Sequence, residues 1–163
     1  MTPAKVTLDG SFKCRELQVR FKPTRYQAPA QITSPQNVHA FLQPIVSNLP
    51  REQLFSLALN PRNDLIGFEV VSQGTADSAY ALPAEVFKAV LLTNAVAFIL
   101  AHNHPSGCCD PSAEDRNTAR KFAQAAQLLG LKMLDFIVVT GDTYYSFAQS
   151  DPMSIQAPDM PIH

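Results

Sequence analysis

Apolar residues recur along this chain with two different periods, and the points where the period changes mark out its elements. Over residues 16–21, Leu17, Val19 and Phe21 alternate with polar neighbours, the pattern of a short strand. Ser34-Pro35 reads as a helix start, a capping serine followed by proline at the first helical position. From there Val38, Phe41, Leu42, Ile45 and Val46 keep helical spacing as far as about Leu49, and Pro44 should kink or split that helix. Residues 54–59 and 65–72 read as two strands of a hairpin turning at Pro61-Arg-Asn-Asp64. Pro83 opens a second helix carrying Val86, Phe87, Val90 and Leu91.

After Asn94 comes the unbroken apolar run 96–101, which predicts a central strand buried on both faces. Ser112 opens a third helix of about seventeen residues, lined by Phe122, Ala125, Ala126 and Leu129 and stopped by Gly130. Strands are expected at 133–139 and, beyond a Gly141-Asp142 turn, at 143–147. The prolines at 152, 158 and 161 predict a disordered tail from Asp151. Strands and helices interleave around one core, so the expected fold is a three-layer α/β domain. Its parts are a proline-rich basic arm over 1–33, the domain over 34–150 and the tail over 151–163.

Composition changes this picture little. The 163 residues, 46% of them apolar, suit one domain with a real core. A net charge of -1 removes any global pull toward nucleic acid or anionic membrane. The charge is uneven, since residues 1–25 carry six basic and two acidic side chains. Such an arm can touch phosphates, although scattered charges usually serve solvation. Three cysteines, two of them the adjacent Cys108 and Cys109, make no disulfide framework. With no apolar leader or membrane-length segment, a reducing, cytoplasmic setting is expected.

Candidate chemistry concentrates in His102-Asn-His104-Pro-Ser-Gly and the Ser112-Ala-Glu-Asp115 that follows. Residues two apart on an extended segment face the same way, so both imidazoles can share one ion. Two imidazoles and one carboxylate, with a fourth position left to water, form a hydrolytic zinc shell. Ser112 and Asp115 also have the spacing of a capping box, which alone accounts for both residues. A base is still needed. Glu69 is the only ionisable residue in its apolar strand, and burial would raise its pKa toward that task. An edge strand with Glu69 facing water explains the pattern equally well. A nucleoside deaminase is disfavoured, because its His-x-Glu and Pro-Cys-x-x-Cys signature is absent.

The order Glu, His-x-His, seven residues, Ser-x-x-Asp resembles the JAMM (MPN+) metalloprotease signature. Within that superfamily the chain is most similar to the RadC-like JAB domain. Glu69-Val-Val-Ser-Gln-Gly74-Thr75, Glu85-Val-Phe-Lys88, Ala101-His-Asn-His-Pro-Ser-Gly107, Pro111-Ser-Ala-Glu-Asp115 and Leu134-Asp135 carry the likeness. The resemblance implies a cytidine-deaminase-like sandwich, a mixed sheet with helices on both faces. It implies zinc held by His102, His104 and Asp115, Glu69 as general base, and Ser112 polarising the scissile carbonyl or stabilising its oxyanion. The implied reaction is hydrolysis of a peptide or isopeptide bond by a zinc-activated water, with a peptide or protein conjugate as substrate. The family's DNA-repair label and the basic arm suggest a DNA-associated accessory protein as an alternative, and a metal-binding scaffold without catalysis is a third reading. The chain departs from the family at Ala84, where arginine is common, at Phe136, where histidine is common, and at Cys108-Cys109 in the metal loop. The helix-hairpin-helix segment found upstream in longer relatives is not expected in residues 1–35.

Overall fold

In the computed structural model, which describes residues 18, 20–74 and 81–156, the sheet is built from five strands. They are β1 (Gln53–Leu59), β2 (Leu65–Gln73), β3 (Ala97–Asn103), β4 (Lys132–Val139) and β5 (Tyr144–Ser146), in the order β2-β1-β3-β4-β5. The sheet is mixed: β3 and β4 run parallel, while every other neighbouring pair is antiparallel. Four α-helices lie among the described residues, α1 (Pro35–Val46), α2 (Pro83–Leu92), α3 (Ala113–Leu128) and the short α4 (Phe147–Ser150). None is long and apolar enough to cross a membrane.

Alternation along the strands produces two cores. Leu54, Ala58, Phe98, Leu100, Phe136 and Val138 face α2 and α3. Phe55, Leu57, Leu59, Ile99, Ala101 and Ile137 face Val38, Phe41, Leu42 and Val46 of α1. The result is the expected three-layer sandwich with helices on both faces. All seven residues of β3 are buried, as its apolar run predicts. A strand covered on both sides excludes solvent from whatever its end carries.

Ser34 caps α1, its side chain accepting from the Asn37 N–H, with Pro35 in the first turn. Pro44 does not split the helix. It removes the N–H that would bond the carbonyl of residue 40, yet the helix runs on to Val46, where the Ser47 hydroxyl donates to the Gln43 carbonyl at 2.6 Å. In the hairpin turn the Asn60 side chain accepts from the backbones of Arg62 and Asp64, and Asn63 takes φ 62°. Residues 16, 17 and 19 of the strand expected over 16–21 lie outside the described residues, and Gln18, Arg20 and Phe21 are in no strand.

Three boundaries move. β3 runs on to Asn103, so His102 lies within the strand rather than after it. On α3 the buried stripe is Asp115, Ala119, Phe122, Ala123 and Ala126, while Leu129 is the C-cap and 46% exposed. Gly130 follows at φ 67°, the left-handed position that ends the helix. The last strand stops at Ser146, whose side chain caps α4 by accepting from Gln149 N. The start of the expected disordered tail is placed: Arg116 donates to Asp151 at 2.5 Å, Ser154 donates to the same carboxylate at 2.8 Å, and Ser154 is buried. Residues 157–163 lie outside the described residues.

Candidate metal centre

His102 pairs with Leu54 on one side and Val138 on the other, at the carboxyl end of β3. This is the end of a parallel strand pair, the usual place for a site in an open α/β sheet. His104 continues the line, its N–H bonded to the Val139 carbonyl at 2.9 Å. The two rings stand edge to face with centroids 5.0 Å apart. The His104 Nδ1 atom lies 2.9 Å from the Cys108 carbonyl oxygen. Since a carbonyl only accepts, Nδ1 carries the proton and Nε2 is left as an electron donor.

Asp115 enters from the first turn of α3. Its Oδ2 accepts from the Ser112 N–H and hydroxyl, both at 2.7 Å, and the Ser112 oxygen accepts from Asp115 N, which completes the capping box. The same carboxylate serves both imidazoles: Oδ1 is 2.9 Å from His102 Nδ1, and Oδ2 is 3.6 Å from His104 Nε2. Burial works to raise its pKa, but the contacts with His102, His104 and Ser112 outweigh burial and hold it far below the ordinary carboxylate range. His104 is raised in turn, first by its contact with Asp115.

The fourth member is Glu52, one residue before β1. Its Oε2 lies 3.3 Å from His102 Nε2. That nitrogen is buried and has no hydrogen-bond partner among the described residues. Glu52, His102 and His104 each bring one ligand atom within 4.8 Å of the other two, a group that can hold a metal ion. Asn103, 1% exposed between the two histidines, sets the aim of Glu52. Its Oδ1 accepts from Gln53 N at 2.7 Å and its Nδ2 donates to the Arg51 carbonyl at 3.1 Å. With the residues on both sides of it clamped, Glu52 projects to the face that His102 occupies.

These groups open into a cavity of about 350 Å³ with Leu54 and Phe136 in its apolar wall and Ser112 at its edge. Phe136 therefore stands inside the site, whereas Ala84 is exposed on α2 away from it. The adjacent cysteines part company: Cys108 is exposed and lines the cavity, and Cys109 packs against the core. The structure thus brings His102, His104, Ser112 and Asp115 together. Glu69 does not join them, which corrects its expected place as the base. It stands on β2, the outermost strand, paired with Ser56, and lines a different cavity. Burial does raise its pKa, so the electrostatic expectation holds although the location does not. Sequence reasoning missed Glu52 because Pro50-Arg-Glu-Gln looks like a solvated turn. The available signal was its place one residue before a strand flanking the histidine strand.

Residues 32–152 match the family model described as RadC-like JAB domain. A UPF0758 protein of Pseudoalteromonas translucida is 42% identical over 134 residues, which is 82% of this chain and 60% of that relative. UPF0758 proteins of Actinobacillus succinogenes and Symbiobacterium thermophilum are 36% and 42% identical, over 85% and 72% of this chain and 63% and 50% of their own lengths. The chain thus spans less than two thirds of the curated relatives it matches. The mixed α/β sandwich is consistent with these matches, and the chain belongs to the RadC-like JAB domain family.

Proposed function

We propose that this domain is a zinc-dependent hydrolase of peptide or isopeptide bonds. The observation that carries the reading is the convergence of Glu52, His102 and His104 at one end of the neighbouring strands β1 and β3, with a buried His102 nitrogen left without a hydrogen-bond partner among the described residues. The donor set suits zinc, which takes imidazole and carboxylate ligands. His102, His104 and Asp115 would hold the ion, as the family resemblance implies, and Asp115 lies beside both rings. Glu52 lies against His102, and its side chain, 24% exposed, lines the cavity, where water and substrate would reach it.

Zinc bound there lowers the pKa of water and polarises a carbonyl. Glu52 takes the proton from the attacking water and returns it to the departing amine. Ser112, at the positive end of α3, lines the same cavity, and its hydroxyl, which donates to Asp115 Oδ2 here, would have to turn to the carbonyl oxygen on which charge grows. Leu54 and Phe136 exclude competing water from one wall of the cavity. A peptide or protein conjugate fits an open cavity of this kind, and the cytoplasm is the compartment the free cysteines favour.

The test is elemental analysis of the purified chain, with hydrolysis of peptide and isopeptide probes measured on the same samples. The expected result is about one zinc per chain, lost together with hydrolysis in the His102→Ala/His104→Ala double variant. A wild-type protein that neither carries zinc nor takes it up on titration overturns the reading.

A further inference from the structure

The second cavity, about 870 Å³, lies on the α2 face of the sheet between β1, β2, α2 and the segment 20–25. Its floor holds two polar atoms with no hydrogen-bond partner among the described residues, Ser56 Oγ and Glu69 Oε1. They come from a directly paired position of β1 and β2, so the two side chains stand on the same face as neighbours. Ser56 is only 3% exposed. A buried hydroxyl and a buried carboxylate oxygen left unpaired are costly to folding, so each calls for a polar partner from outside the chain. Lys88, which also lines the cavity, acts on Glu69 through space but forms no ion pair with it among the described residues, since its largely exposed ammonium pairs with Glu85 at 3.6 Å.

The remaining walls define the ligand. Ala58, Ile66 and Leu92 make the middle of the cavity apolar, and Phe21 lies over Gly67 with its ring edge 3.4 Å from where a Cβ would stand. The mouth is cationic: Arg20, Lys22 and Arg25 line it, all exposed, and none is ion-paired among the described residues. A negative floor, an apolar middle and a positive mouth match a molecule with an ammonium, an alkyl stem and a carboxylate in that order.

We propose that this cavity is a binding site for an ω-amino carboxylate, the chemistry of a free lysine-like amino acid or of a C-terminal lysine. The ammonium donates to Glu69 and Ser56, the methylenes lie along Ile66 and Leu92, and the carboxylate meets the basic arm. The site is separate from the metal centre and stands whether or not the hydrolase reading does.

The probe is 6-aminohexanoate, titrated into the full chain by calorimetry with amide shifts mapped by NMR. Hexanoate and hexylamine, each lacking one charge, serve as comparisons. Saturable binding is expected, with shifts at residues 56, 66–69 and 88–93. It should weaken at least about tenfold, equivalent to 1.4 kcal/mol, for either one-charge analogue and in both Glu69→Gln and Ser56→Ala. The His102→Ala/His104→Ala protein should bind as the wild type does. Absence of saturable binding overturns the proposal. So does binding that survives both floor substitutions, that hexylamine matches, or that vanishes with the histidines.

Discussion

Glu52 and Glu69 stand at neighbouring strands of one sheet, yet only Glu52 lies against an imidazole, at 3.3 Å from His102 Nε2. Glu52→Gln should therefore lower hydrolysis by about 10²–10⁴-fold, the usual worth of a general base, while the zinc content stays at the wild-type level. Loss of zinc in this variant would make Glu52 a ligand and overturn its assignment as base. Glu69→Gln should leave turnover within about twofold, a change of under half a kcal/mol. Asn103 acts through Glu52, because its amide bonds the backbone on both sides of it. Asn103→Ala should lower kcat with KM and zinc content little changed, as Glu52 loses its fixed aim. An unchanged kcat, or a kcat and KM that change together, in a folded variant would reduce Asn103 to a structural role. The histidines and Asp115 were legible because their relation is local, within one loop and one capped turn. Glu52 was not, since its relation to His102 runs through a strand register between residues fifty apart in sequence.

Among the elements, the junction of β4, β5 and α4 turns on Asp135, a carboxyl 4% exposed that accepts from the Ser146 hydroxyl at 2.5 Å and from Ala148 N at 2.8 Å. Burial pushes its pKa above the ordinary value despite these donors. A folded pKa above the unfolded one gives a contribution that is full below the unfolded value, near 3.8, and is lost as pH rises through the folded value. Asp135→Asn removes this titration. The stability of the variant relative to the wild type, from denaturant unfolding at a series of pH values, should thus shift in favour of Asn as pH rises above 3.8. A flat difference across that range would show that Asp135 titrates normally. Elements with strong local signals were readable in advance, as at Ser34-Pro35 and Gly130. The failures share one cause, in that position within the whole outweighs the local pattern. Leu129 has the right period for the buried stripe but falls on the cap, and α1 runs through Pro44 because Val38, Phe41, Leu42 and Val46 on either side are packed into the core.

At the scale of the molecule, the site joins parts that are distant in sequence: the approach to β1, the end of β3 and the start of α3. Arg116, next to Asp115, also ties α3 to Asp151 near the end of the described chain. In the unfolded chain these ligands do not converge, so an ion that binds the folded form alone stabilises it by mass action. Adding zinc to metal-stripped protein should raise Tm, with the gain growing by about 1.4 kcal/mol for each tenfold rise in free zinc above the Kd. The His102→Ala/His104→Ala protein should show no rise. Since Glu52 is assigned as base, Glu52→Gln should keep the rise even though it no longer hydrolyses, and Asp115→Asn should lose most of it. A Tm that is insensitive to zinc in the wild type would mean that the imidazoles and carboxylates gathered between β1, β3 and α3 hold the sandwich together by their own hydrogen bonds, with no ion required.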